Sequence, residues 1–121
     1  VIGNLFRRLE ARFLLDPHAG TLGVGLVGVG GWGTTNALNL MRTERFDVLG
    51  VHDADPELLT KFSKRYKARR FDRYDDLLQD PNVRAVVITV PNAFHVELAE
   101  KALEAGKHVF VEKPLASGPE D

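Results

Sequence analysis

Apolar positions along the chain follow two rhythms. Over residues 2–15, Ile2, Leu5, Phe6, Leu9 and Phe13 recur at helical spacing, with Arg7, Arg8, Glu10 and Arg12 between them. This predicts an amphipathic helix, ended at Asp16-Pro17 because the residue before a proline is driven out of the helical region. After Gly20 the rhythm changes to short apolar runs alternating with amphipathic stretches. Leu22–Val27, Val48–His52, Ala85–Val90 and His108–Val111 read as strands, and Arg69–Phe71 as a weaker one. Helices are predicted from the glycines after Val27 to about Arg42, over Pro56–Lys67, over Tyr74–Gln79 and over Ala93–Ala105. Pro56 suits a first turn, and Gly106 suits a helix stop.

Strands that alternate with helices imply parallel βαβ units. Runs such as AVVITV (residues 85–90) have no wet face, which implies a sheet covered on both sides. The expected fold is α/β, a Rossmann-like doubly wound parallel sheet in strand order 3-2-1-4-5 with an extra N-terminal helix. Residues 1–20 form that helical extension and residues 21–121 one domain.

Composition narrows the partners. The chain has 121 residues, 44% of them hydrophobic, and a net charge of −1. That is enough for one domain with a core, and it gives no bulk attraction to nucleic acid or to an acidic membrane. No cysteine is present, which excludes disulfides and zinc–thiolate sites and fits a reducing, cytoplasmic setting. No metal site is expected. No apolar run approaches the ~20 residues of a membrane span. The three arginines of the first helix are a modest patch, so that helix is expected to pack on the domain or a neighbouring subunit. The stretch KFSKRYKARRFDR (residues 61–73) interleaves seven basic residues with Phe62, Tyr66 and Phe71, a pattern used on nucleic-acid surfaces. Asp72, Asp75, Asp76 and Asp80 would oppose a phosphate backbone, so a solvated helix face is the preferred reading.

The chemistry concentrates at residues 28–33, GVGGWG, where four of six residues are glycine. Gly28, Gly30 and Gly33 form G-x-G-x-x-G, which alone is a weak signal. Its place after a strand and at the start of a helix makes it a dinucleotide-binding turn. There the first glycine makes the turn, the second lets a pyrophosphate approach the backbone, and the third lets helix and strand pack closely. Gly31 and Trp32 lie in the same loop, so the indole is expected beside the ligand. Asp53 follows Gly33 by 20 residues, at the end of the next strand. Its carboxylate suits the adenosine ribose hydroxyls and repels a 2′-phosphate, favouring NAD over NADP. Asp55, just before Pro56, reads as a helix N-cap.

Residues 89–116, TVPNAFHVELAEKALEAGKHVFVEKPLA, resemble the Gfo/Idh/MocA oxidoreductases through Pro91-Asn92, His95, the AGKHV of residues 105–109 and Glu112-Lys113-Pro114. With the glycine loop and Asp53 the resemblance runs from Leu22 to Ala116. It implies that Lys113 lies near the nicotinamide and the substrate as the catalytic residue, with Glu112 orienting it and Pro114 fixing the turn. Thr89, Pro91 and Asn92 would line the nicotinamide-ribose side. His95 is assigned a structural role and His108 no chemistry. The resemblance further implies a second, substrate-binding domain outside this chain, whose sheet commonly forms the family's interface in homo-oligomers. The expected function is therefore the NAD-binding half of an enzyme passing hydride between nicotinamide and a hydroxyl-bearing carbon of a sugar or cyclitol. The 121-residue chain alone is expected to be inactive. The alternative is a non-catalytic NAD-binding sensor, distinguished by whether the coding sequence continues past Asp121.

Overall fold

The computed structural model describes residues 20–113; the helix expected over residues 2–15, and Pro114, lie outside them. Four strands form one parallel sheet: β1 (Leu22–Val27), β2 (Phe46–His52), β3 (Ala85–Ile88) and β4 (His108–Val111). Their spatial order is β2-β1-β3-β4. Helices α1 (Gly31–Met41), α2 (Pro56–Tyr66), α3 (Tyr74–Gln79) and α4 (His95–Glu104) connect them.

The expected five-strand order 3-2-1-4-5 is corrected here. The segment predicted as its edge strand, Arg69–Phe71, makes a single parallel bridge, Val51 to Arg70, rather than a strand. The Val51 N–H donates to the Arg69 carbonyl at 2.9 Å, and the Phe71 N–H to the Val51 carbonyl at 2.8 Å. The segment is short at both ends. Lys67 caps α2 in the left-handed conformation (φ 52°), and beyond Phe71 the chain turns so that Asp72 pairs with Arg70. Other boundaries also move, and the second strand, predicted from Val48, begins at Phe46. The strand predicted to Val90 ends at Ile88, and the helix predicted from Ala93 begins as a 3-10 turn, Asn92–Phe94, before α4.

Alternation along the strands separates two cores. Leu22, Val24 and Leu26 of β1, with Ala85 and Val87 of β3, pack against Ala37 and Leu40 of α1 and Leu59 and Phe62 of α2. Val86 and Ile88 of β3 face the other side, with Tyr74, Leu77 and Leu78 of α3 and Ala99 and Ala102 of α4. On that second face β1 presents Gly25, and a Cβ there would stand 2.8 Å from a Leu77 methyl. The glycine lets α3 lie directly on the central strand. At full burial, Leu77 contributes about 2–3 kcal/mol of apolar transfer. Asp55 caps α2 as expected, its carboxylate accepting from Glu57 N–H at 2.9 Å.

Candidate functional site

Strand register brings the scattered candidates together. Val27 pairs with His52 on one side and Ile88 on the other, and Ile88 pairs with Val111. The next residue of each strand therefore lies on one row across the carboxyl edge: Asp53, Gly28, Thr89 and Glu112. Lys113 follows Glu112, whose N–H still bonds the Ile88 carbonyl at 3.1 Å. Gly28 and Lys113 thus share the edge at which ligands bind in open parallel sheets. Lys113 is exposed and Glu112 half-buried.

The four glycines of the loop divide into two pairs. Gly28 has φ +96°, and an added Cβ would meet the Thr89 carbonyl oxygen at 2.7 Å. A Cβ on Gly33 would run into the Gly28 carbonyl. These two glycines are required by the protein itself. Around Gly30 and Gly31, by contrast, a Cβ would meet nothing within 4 Å among the described residues, and Gly30 has an ordinary φ of −72°. Neither backbone strain nor internal packing calls for glycine at these two positions. The space they leave open faces outward at the start of α1.

That start is uncapped. Among the described residues no side chain accepts from the first-turn N–H groups, and the first bond of the helix is Thr34 N–H to the Gly30 carbonyl at 2.7 Å. The earlier N–H groups are the unpaired donors that any helix presents at its amino end, where the helix dipole also favours an anion. Trp32 stands beside them with 77% of its surface exposed.

The two residues before these open glycines are held on every backbone group. Gly28 N–H donates to the His52 carbonyl at 2.9 Å, and Gly28 C=O accepts the Thr89 hydroxyl at 2.9 Å. Val29 N–H donates to Asp53 Oδ2 at 2.9 Å, and Val29 C=O accepts the Thr34 hydroxyl at 2.9 Å. Thr34 was not among the sequence candidates, and no spacing rule singles it out. Thr89, expected on the nicotinamide-ribose side, turns its hydroxyl onto the glycine loop, where the Gly28 and Val27 carbonyls lie within its reach. Pro91 and Asn92 are exposed on the turn after β3.

His95 is 1% exposed, with Nε2 2.6 Å from the Val90 carbonyl. A carbonyl can only accept, so Nε2 carries the proton and the ring ties α4 to the end of β3, the structural role assigned to it. In the basic stretch, Arg69, Arg70 and Arg73 are paired with Asp80, Asp72 and Asp75. Among the described residues no three His, Asp or Glu side chains converge as metal ligands, and no helix is long and apolar enough to cross a membrane.

Residues 22–121 match the model of an oxidoreductase family with an NAD-binding Rossmann fold, Gfo/Idh/MocA. The chain belongs to this family. It is 41% identical over 96 residues to an inositol 2-dehydrogenase/D-chiro-inositol 3-dehydrogenase of Lactiplantibacillus plantarum, covering 77% of this chain and 27% of that one. Among solved structures, it superposes with a TM-score of 0.77 and 38% identity on GenD2 of gentamicin A biosynthesis in complex with NAD, covering 81% of this chain and 28% of that one. It superposes with a TM-score of 0.75 and 33% identity on scyllo-inositol dehydrogenase of Lactobacillus casei, solved with NAD(H) and scyllo-inositol, covering 83% and 30%. The chain spans under a third of the length of each of these Gfo/Idh/MocA relatives.

Proposed function

We propose that this chain binds NAD across the carboxyl edge of its sheet, as the cofactor half of an oxidoreductase acting on a hydroxyl-bearing substrate of the sugar or cyclitol class. The observation that carries the reading is the pair Gly30 and Gly31. Both leave open space that no other described residue uses, directly beside the unpaired donors of α1. A pyrophosphate needs both close backbone approach and N–H donors. The inositol dehydrogenases and the NAD complexes among the relatives support the cofactor and the substrate class.

In this reading Asp53 accepts hydrogen bonds from the adenosine ribose and disfavours a 2′-phosphate, giving NAD preference over NADP. Trp32 lies along the pyrophosphate. Pro91 and Asn92, with the backbone of Thr89, line the nicotinamide-ribose side. Lys113 hydrogen-bonds a substrate or ribose hydroxyl and stabilises negative charge developing on oxygen, while Glu112 orients it. The bound nicotinamide supplies the hydride chemistry; the chain supplies position and electrostatics. A second domain holding the substrate, and self-association through it, complete the proposal. So does a cytoplasmic protein without nucleic-acid partners, a reading supported by the pairing of Arg69, Arg70 and Arg73 with neighbouring carboxylates.

The test is a titration of the chain with NAD and with NADP, read by Trp32 fluorescence and by calorimetry. The expected result is a saturable signal with NAD and a weaker one with NADP. Absence of any NAD-dependent heat or fluorescence change overturns the proposal, and tighter binding of NADP overturns the role of Asp53 in it.

A further inference from the structure

We infer that Asp53 also latches the glycine loop in the shape that receives the pyrophosphate. This second role rests on the cofactor placement proposed above. Both carboxylate oxygens already hold backbone donors. Oδ2 accepts from Val29 N–H at 2.9 Å, and Oδ1 from Asp55 N–H at 2.8 Å. A carboxylate offers about four lone-pair sites, so ribose hydroxyls can be added without displacing either bond.

The two bonds are not equivalent. Val29 is 4% exposed, and its N–H belongs to the loop, one residue before Gly30. Asp55 is exposed and its N–H can turn to water. Losing the acceptor strands a buried donor at Val29, which the loop can relieve only by shifting. Any shift of Val29 moves Gly30 and the donors of α1 with it. Asp53 thereby joins the end of β2 to the phosphate-binding loop, and one side chain connects ribose recognition to pyrophosphate recognition.

Electrostatics separates this from a reader of ribose alone. Removing a carboxylate near an anion site favours anion binding by Coulomb's law. A ligand that keeps the diphosphate but lacks ribose hydroxyls should then bind as well or better after the substitution, unless the loop depends on Asp53.

The experiment uses the 121-residue chain, with Asp53→Ala and Asp53→Asn. ADP and 2′,3′-dideoxy-ADP are titrated by calorimetry, and exchange of the Val29 amide is followed by NMR without ligand. For Asp53→Ala we expect dideoxy-ADP to weaken by about tenfold, the scale of one charge-assisted hydrogen bond, and Val29 exchange to accelerate by a similar factor. Asp53→Asn keeps one acceptor, which faces Val29 because the buried donor costs more when left unmade. It should restore dideoxy-ADP to within about threefold of the parent and keep Val29 protected, while ADP stays weakened. The inference is overturned if Asp53→Ala binds dideoxy-ADP at parental affinity or tighter, or if Val29 protection is unchanged. It is also overturned if the Asn variant is no better than Ala on either measure. A parent that binds no ADP refutes the cofactor placement instead, and Val29 exchange still decides the latch.

Discussion

Replacing Gly30 and Gly33 in separate variants should disconnect binding from folding. At Gly30 the added side chain enters open space with φ −72°. Gly30→Val therefore costs only the loss of a tolerated helix cap, at most about 1 kcal/mol. At Gly33 the first added carbon lies 2.7 Å from both the Gly28 carbonyl carbon and Thr89 Oγ1. A backbone carbonyl pinned by the Thr89 hydroxyl cannot give way cheaply, so Gly33→Ala carries an overpacking cost of about 1–3 kcal/mol. In a domain of this size each kcal/mol moves the thermal midpoint by roughly 3–6 °C. Circular dichroism melts without cofactor should then place Gly30→Val within about 6 °C of the parent, and Gly33→Ala lower by about 3–18 °C. Binding is expected in the opposite order. The isopropyl group introduced by Gly30→Val fills the space a phosphate would take, and losing even one charged hydrogen bond weakens NAD by about ten- to a hundredfold. Calorimetry measures this independently of any change in Trp32 emission. Two outcomes refute the reasoning: Gly30→Val binding NAD within about threefold of the parent, or Gly30→Val melting as far below it as Gly33→Ala.

Tyr74 gives a pH test. Burial, with the Asp75 charge adding to it, lifts its phenol above the ordinary value of 10.0. The unfolded chain releases that proton near pH 10 while the folded chain keeps it, so stability should fall as pH rises above about 10. Tyr74→Phe, which also loses the bond to the Leu98 carbonyl at 2.7 Å, should cost about 1 kcal/mol at neutral pH. The same variant should flatten the alkaline decline in urea titrations; an equally steep decline would reject the assignment. Leu77→Ala empties a fully buried site between α3 and β1 and should lower unfolding free energy by about 2–5 kcal/mol, measured by urea denaturation. In a longer protein carrying the proposed substrate domain, Lys113→Met should lower kcat by about two to three orders of magnitude, checked by steady-state kinetics beside cofactor titration.

What could be read from the sequence was local. Asp55-Pro56 announced α2 because cap and first-turn proline act within four residues. Gly106, at φ +75°, marked the end of α4 for the same kind of reason. The row of Asp53, Gly28, Thr89 and Glu112 was legible because parallel βαβ units carry every strand end to one edge. Arg69–Phe71 has the composition of a strand but makes only the bridge at Arg70, because pairing beyond it depends on how the chain leaves Phe71. The partners of the side chains were invisible. Thr89 reaches a carbonyl 61 residues away and Asp53 an amide 24 residues away, distances over which no periodicity speaks. Position in the sequence presents Asp53 as a group for ribose and says nothing of the two backbone donors its oxygens hold.

These long-range bonds bear on when the site is formed. Gly28 and Val29 have all four backbone groups engaged, by His52, Thr89, Asp53 and Thr34. Immediately after them the chain changes character, and the α1 donors begin where internal partners stop. The anchoring bonds come from the ends of β2 and β3 and from α1, so they form as the sheet and helix form. A ligand arriving at Gly30 would not have to order the loop, and the entropy of that ordering would not be subtracted from its affinity. By the same logic the site is rigid only while the sheet edge is intact. Damage at Thr89, which touches no proposed hydrogen-bonding group of the cofactor through its hydroxyl, should therefore reach the phosphate site through Gly28. Thr89→Val keeps the shape and deletes the donor, leaving the Gly28 carbonyl without its hydroxyl partner. It is expected to weaken NAD by about three- to tenfold, the range of one neutral hydrogen bond, with the melting midpoint falling alongside. Affinity that holds while the midpoint falls would mean that the loop keeps its shape without this anchor.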